Sequence, residues 1–154
     1  MGANARILVV DDEESIRKVL ATILEEKGYI VDTAKNGKEA IRKSKTRFYN
    51  LALIDIRLPD MEGTELLTGL RDTTPKMAKI IMTGYPSLQN AIEAVNRGAD
   101  AYVLKPFDVE KVLHEIEENV RKQREARRYS EEKVTEFIVT RAKELEAETQ
   151  RKAP

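Results

Sequence analysis

The stretch Leu51-Ala52-Leu53-Ile54-Asp55 decides the fold. Four apolar residues in a row, closed by a carboxylate, lack helical period and read as a strand buried on both faces, the mark of a parallel sheet. The same kind of run recurs on either side of it. Ile7-Leu8-Val9-Val10 and Tyr29-Ile30-Val31 precede it, and Ile80-Ile81-Met82 and Ala101-Tyr102-Val103-Leu104 follow. The intervening stretches carry helical period: Ile16, Val19, Leu20, Ile23 and Leu24 recur at three and four residues, as do Leu66, Leu67 and Leu70, then Ile92 and Val95, then Val109, Val112, Leu113, Ile116 and Val120. Each set predicts an amphipathic helix. Gly28 follows the first helix, Asn36-Gly37 opens the second, Pro75 follows the third, Gly98 ends the fourth and Asp108 caps the fifth. Five buried strands alternating with five helices predict an α/β protein, a doubly wound parallel sheet with helices on both faces.

Composition excludes several classes of function. The chain has 154 residues, 41% of them hydrophobic, enough for one domain with an appendage. Zero cysteines remove disulfides, thiol nucleophiles, zinc-thiolate sites and iron-sulfur clusters, and one histidine removes His-cluster metal sites. With 27 basic and 27 acidic residues, no whole-chain field favours nucleic acid or anionic membrane. Met1 to Arg6 carries no apolar signal segment, and Arg6 stands where a myristoylation motif at Gly2 needs Ser or Thr. A cytoplasmic protein is expected.

In parallel α/β sheets, ligands bind beyond the carboxyl ends of the strands. Asp11-Asp12 follows the first run, Asp55 ends the third, Thr83-Gly84 follows the fourth and Lys105-Pro106 the fifth. For strand order 2-1-3-4-5 these ends are neighbours. Three carboxylates, one hydroxyl and one ammonium then meet in one depression. Such carboxylates stay ionised together only when a cation offsets them, and an all-oxygen set implies a hard divalent ion such as Mg²⁺. Cation and lysine together suit attack by a carboxylate on a phosphoryl group. Asp55, closing the central strand, is the expected nucleophile, with Thr83 and Lys105 on the phosphoryl oxygens.

Four blocks of the sequence, Val9-Val10-Asp11-Asp12-Glu13, Leu53 through Gly63, Met82-Thr83-Gly84-Tyr85 and Gly98 through Phe107, resemble the receiver domains of two-component response regulators, in order and at matching spacing from about Arg6 to about Arg121. The resemblance implies a flavodoxin-like sheet of order 2-1-3-4-5. It also implies that Asp55 accepts a phosphoryl group from a sensor histidine kinase. Asp11, Asp12, Asp55 and the backbone carbonyl of Arg57 would hold Mg²⁺, Thr83 and Lys105 would bind the phosphoryl oxygens, and Lys105-Pro106 would be cis. Thr83 and Tyr102 would form the switch, which makes the face of helix four, strand five and helix five the output surface. Such a domain catalyses its own phosphorylation and slow dephosphorylation and is not classed as an enzyme.

Residues 121–154 hold 10 basic and 7 acidic side chains and no Pro before Pro154, so the fifth helix is expected to continue outward. The expected division is a receiver over 1–122 and a helical extension over 123–154, with a short coiled-coil seam at Val134, Ile138, Arg141 and Leu145 and Phe137 beside it. Homodimers through that seam or through the helix four, strand five, helix five face are the expected self-contacts. Glu125, Glu131 and Glu132 interrupt the basic stretch Arg121, Lys122, Arg124, Arg127 and Arg128, so a solvated helix is expected there and no nucleic-acid partner. His114 reads as a solvated helix position. Two rival functions remain at this level. A Mg²⁺-dependent aspartyl-phosphate phosphohydrolase typically needs a second acid two residues after the nucleophile, where Arg57 stands, and a helical dimerisation or scaffold module would rest on the seam alone. A stand-alone regulator and the receiver part of a larger protein fit the sequence equally.

Overall fold

The structure is a computed structural model that describes residues 4–152. The reading of Gly2 and the last two residues of the expected extension lie outside them. The elements are β1 (Arg6–Val10), α1 (Glu14–Glu26), β2 (Ile30–Ala34), α2 (Gly37–Thr46), β3 (Leu51–Asp55), α3 (Gly63–Gly69), β4 (Ala78–Thr83), α4 (Leu88–Asn96), β5 (Ala101–Leu104) and α5 (Val109–Lys152). All strands pair in parallel, in the order β2-β1-β3-β4-β5. The doubly wound sheet, its strand order and the prolonged last helix are as the sequence implies.

Strand alternation divides the core into two layers. Ile7, Val9, Leu51, Leu53, Ile80 and Met82 face Leu20 and Leu24 of α1 and Val112, Ile116 and Val120 of α5. Leu8, Val10, Ala52, Ile54 and Ile81 face Ala40 of α2, Leu66 and Leu67 of α3 and Ala94 of α4. The three central strands are therefore buried along nearly their whole length.

Three expectations need correction. The edge strands are not buried throughout: Ile30 and Leu104 are exposed, because an edge strand has one neighbour and shorter helical cover. Tyr29 lies before β2 rather than in it, buried while its N–H bonds to Leu24 O. In α4 the buried position is Ala94, whereas Ile92 and Val95 are 51% and 67% exposed. The small Ala side chain faces the sheet and the larger ones face away from it.

Local chemistry sets the element ends. Gly28 and Gly98 follow α1 and α4 at φ 91° and 98°, left-handed values that a Cβ disfavours. Asn36 Oδ1 accepts from Glu39 N at 2.8 Å and Ser87 Oγ accepts from Asn90 N at 3.1 Å, capping α2 and α4. Asp108 accepts from Glu110 N at the start of α5. Gln123 of α5 is buried and ties the helix to the segments that lead into β3 and β4. Its Nε2 donates to Asn50 O (2.9 Å) and Lys76 O (2.7 Å), and its Oε1 accepts from Asn50 Nδ2 (3.0 Å). The chain divides into two units, Met1–Gln123 and Arg124–Pro154. In the second, every residue from 124 to 151 is exposed. No helix among the described residues is long and apolar enough to cross a membrane.

Candidate functional site at the carboxyl ends of the strands

β1 delivers Asp11 to the sheet's carboxyl edge, where its N–H continues the ladder to Ala34 O at 3.1 Å. Its side chain is fully buried: Oδ1 accepts from Glu13 N at 2.9 Å and Oδ2 from Lys105 Nζ at 2.7 Å. Asp55, the last residue of β3, is 7% exposed, with Oδ2 3.4 Å from the same Nζ. Asp12 is exposed beside them. One oxygen from each of Asp11, Asp12 and Asp55 lies within 4.8 Å of the others. Thr83 ends β4 fully buried, and its Oγ1 accepts from Tyr85 N at 2.9 Å, a bond that does not use the hydroxyl proton. Lys105 follows β5, its N–H bonded to Thr83 O at 2.7 Å, and Lys105-Pro106 is cis, as is Thr74-Pro75.

Three carboxylates against one ammonium leave a formal charge of −2. The electrostatics carry that mark. Burial, and after it the charge of Asp11, hold the Asp55 carboxyl above its ordinary range against the pull of Lys105. For Lys105, burial works against the charged form, yet the bond and charge of Asp11 and then of Asp55 prevail and raise its pKa. Oxygen-only donors, tightly grouped and short of positive charge, fit a hard divalent cation, and the chain can complete such a set with a backbone carbonyl.

The loop from Ile56 to Glu62 folds back beside Asp55. Ile56 N–H bonds to Met82 O at 2.9 Å and Gly63 N–H to Ile56 O at 2.7 Å, while Arg57 and Glu62 pair as an antiparallel bridge. Gly63 has no alternative here, since a Cβ would lie 2.3 Å from Asp55 O and 2.8 Å from Ile56 Cα. In the sequence, the spacing of Gly63 from Asp55 is the signal for this role. A second feature had no local signal: the Arg57 guanidinium stacks 4.3 Å from the centroid of Tyr85, joining the loop after Asp55 to the loop after Thr83. The hydroxyl of Tyr102 is buried with no hydrogen-bond partner. His114 is exposed.

The family model described as response regulator receiver domain matches residues 7–117. The chain is 39% identical over 111 residues to the transcriptional regulatory protein ZraR of Klebsiella oxytoca, covering 72% of this chain and 25% of that protein. It is 44% identical to a response regulator receiver domain protein from Methanospirillum hungatei JF-1 of known crystal structure, with a TM-score of 0.77 over 80% of this chain and 99% of that one. The crystal structure of the response regulator protein TrrA from Thermotoga maritima, in complex with Mg²⁺ and BeF, matches at 35% identity and a TM-score of 0.67, covering 75% of this chain and 98% of that one. The chain belongs to the response regulator receiver domain family of two-component systems. It spans a quarter of the length of ZraR.

Proposed function

We propose that Asp55 is the phospho-acceptor, that residues 1–122 form the receiver, and that a sensor histidine kinase is the donor. The observation that carries this is Lys105 Nζ standing between Asp11 and Asp55 at 2.7 and 3.4 Å, in a cluster still short of positive charge. Asp11, Asp12, Asp55 and the backbone carbonyl of Arg57 would hold Mg²⁺. Bound there, the ion would offset the carboxylates and the charge of an incoming phosphoryl group.

An Asp55 carboxylate oxygen forms the bond to phosphorus as the bond from phosphorus to the donor's imidazole nitrogen breaks, and the electron pair stays on that nitrogen. Lys105 pairs with one phosphoryl oxygen, and the Thr83 hydroxyl donates a hydrogen bond to another. Phosphorylation adds about −1.5 to −2 charges and three acceptor oxygens at the edge of β3. Thr83 is drawn toward them. Tyr102, whose buried hydroxyl lacks a partner and so gains by moving to one, answers as the switch.

The output surface is the exposed apolar set Leu88, Ile92 and Val95 of α4 with Leu104 of β5. Self-association through Val134, Ile138 and Leu145 of the extension over 123–154 is a second output. A cytoplasmic location, slow self-dephosphorylation and the absence of a nucleic-acid partner complete the reading. The transcriptional role in the name of ZraR stays with that longer protein.

Incubation with acetyl phosphate and Mg²⁺ is expected to add the mass of one phosphoryl group, lost on chelation and in Asp55→Asn. Undiminished labelling of the Asp55→Asn protein would move the acceptor elsewhere.

A further inference from the structure

The loop that follows Asp55 is anchored by a helix that gives the acidic pocket no side chain. The first turn of α2 presents backbone N–H groups without intrahelical acceptors. The side chain of its own cap, Asn36, accepts from Glu39 N. Gly37 N and Lys38 N are served instead by the two oxygens of one carboxylate, Asp60, at 2.8 and 2.9 Å. The next residue, Met61, packs on Gly37 so closely that a Cβ there would lie 2.4 Å from its Sδ. Leu58 N–H bonds to Met61 O at 3.2 Å and Arg57 pairs with Glu62, so the turn is closed on itself. Fixing Asp60 and Met61 therefore fixes Arg57.

We infer that Asp60 is a positioning residue for the cation: by clamping the loop to the start of α2 it holds the backbone carbonyl of Arg57 toward the carboxylate cluster. This rests on the reading of that carbonyl as a Mg²⁺ ligand. The clamp is backbone-directed and charge-assisted at both oxygens, which suits it to hold a loop whose Arg57, Pro59 and Glu62 are exposed.

The test is calorimetric titration of Mg²⁺ into the full-length wild type, Asp60→Ala, Lys38→Pro and Lys38→Gln, with amide hydrogen exchange on the metal-free proteins. Lys38→Pro removes one donor of the clamp, and proline is tolerated in a helix's first turn. Its lost positive charge would by itself strengthen cation binding, whereas the lost clamp weakens it, so the two causes have opposite signs. Asp60→Ala and Lys38→Pro are expected to bind Mg²⁺ about 10-fold more weakly, the scale for removing a residue that orients a metal ligand, and to exchange faster at the amides of residues 57–63. Lys38→Pro binding Mg²⁺ as tightly as Lys38→Gln, which loses the same charge but keeps the backbone donor, would reduce the Asp60→Ala effect to lost charge and overturn the inference. So would unchanged loop protection in Asp60→Ala and Lys38→Pro. Failure of the wild type to bind Mg²⁺ would instead overturn the reading of the pocket itself.

Discussion

At the scale of single residues, Asp55 is placed at a cost to the fold. Its carboxyl is held above the ordinary range by burial and then by the neighbouring charge of Asp11. Between the ordinary carboxylate pKa and the raised one, the native state keeps a proton that the unfolded chain releases, so stability falls as pH rises through that window. Above the window the full cost is present. Asp55→Asn removes it while keeping shape. In metal-free buffer at neutral pH the variant is expected to be more stable than wild type by about 1 kcal/mol, and thermal melts across the acidic range should lose that component of the fall. Added Mg²⁺ should then raise the melting temperature of wild type more than that of the variant. A variant less stable than wild type without metal would contradict this assignment of charge. Gly63 belongs to the same scale: it has no side chain because Asp55 O already occupies the place.

At the scale of elements, α5 shows which polar contacts matter. The exposed Arg127–Glu131 pair, at 3.2 Å, is of the class that contributes roughly 0.3–0.5 kcal/mol. Gln123 differs because it is 8% exposed and satisfies two backbone carbonyls and one side-chain amide. Truncating it takes the partner from Lys76 O and from the Asn50 side-chain N–H, while Asn50 O keeps its bond from Ala78 N. Gln123→Ala is expected to cost about 2 kcal/mol, read as a lower denaturant midpoint at unchanged slope, and Arg127→Ala to fall within a few tenths of wild type. Equal effects would mean that the Gln123 contacts are replaced by water. β4 offers a related case: buried Lys79 donates to Leu67 O at 2.7 Å, supporting the end of the seven-residue α3. Burial pulls its pKa below the usual lysine value, so the charge is kept there at a cost.

At the scale of the whole molecule, residues 124–151 form helix without burying any side chain. Here the helix rests on propensity and spaced ion pairs rather than on a packed face. Val134, Phe137, Ile138 and Leu145 are 57%, 70%, 59% and 48% exposed, an apolar stripe that a second copy would cover. Sedimentation of the full chain is expected to show concentration-dependent self-association, abolished by the double change Val134→Asp and Ile138→Asp. Phosphoryl labelling at Asp55 should be kept in that variant. A wild type that stays monomeric at high concentration would remove this contact.

The apolar runs and the helical periods between them ordered nine of the ten elements, and Asn36-Gly37 marked the tenth, α2; a strand buried on both faces has no room for polar residues and therefore advertises itself. Asp11, Asp12, Asp55, Thr83 and Lys105 were legible for a related reason: each directly follows or ends such a run, and parallel strands carry their carboxyl ends to one edge. Other features lay beyond the sequence. The Asp60 clamp on α2, the Arg57–Tyr85 stack and the Gln123 clasp join residues 22 to 73 positions apart, with no periodicity to announce them. The outward face of α4 was misjudged because period identifies an amphipathic helix without saying whether its large or small side chains meet the sheet. Only the packed structure decides that, since the closeness of two backbones is set by the side chains of both partners.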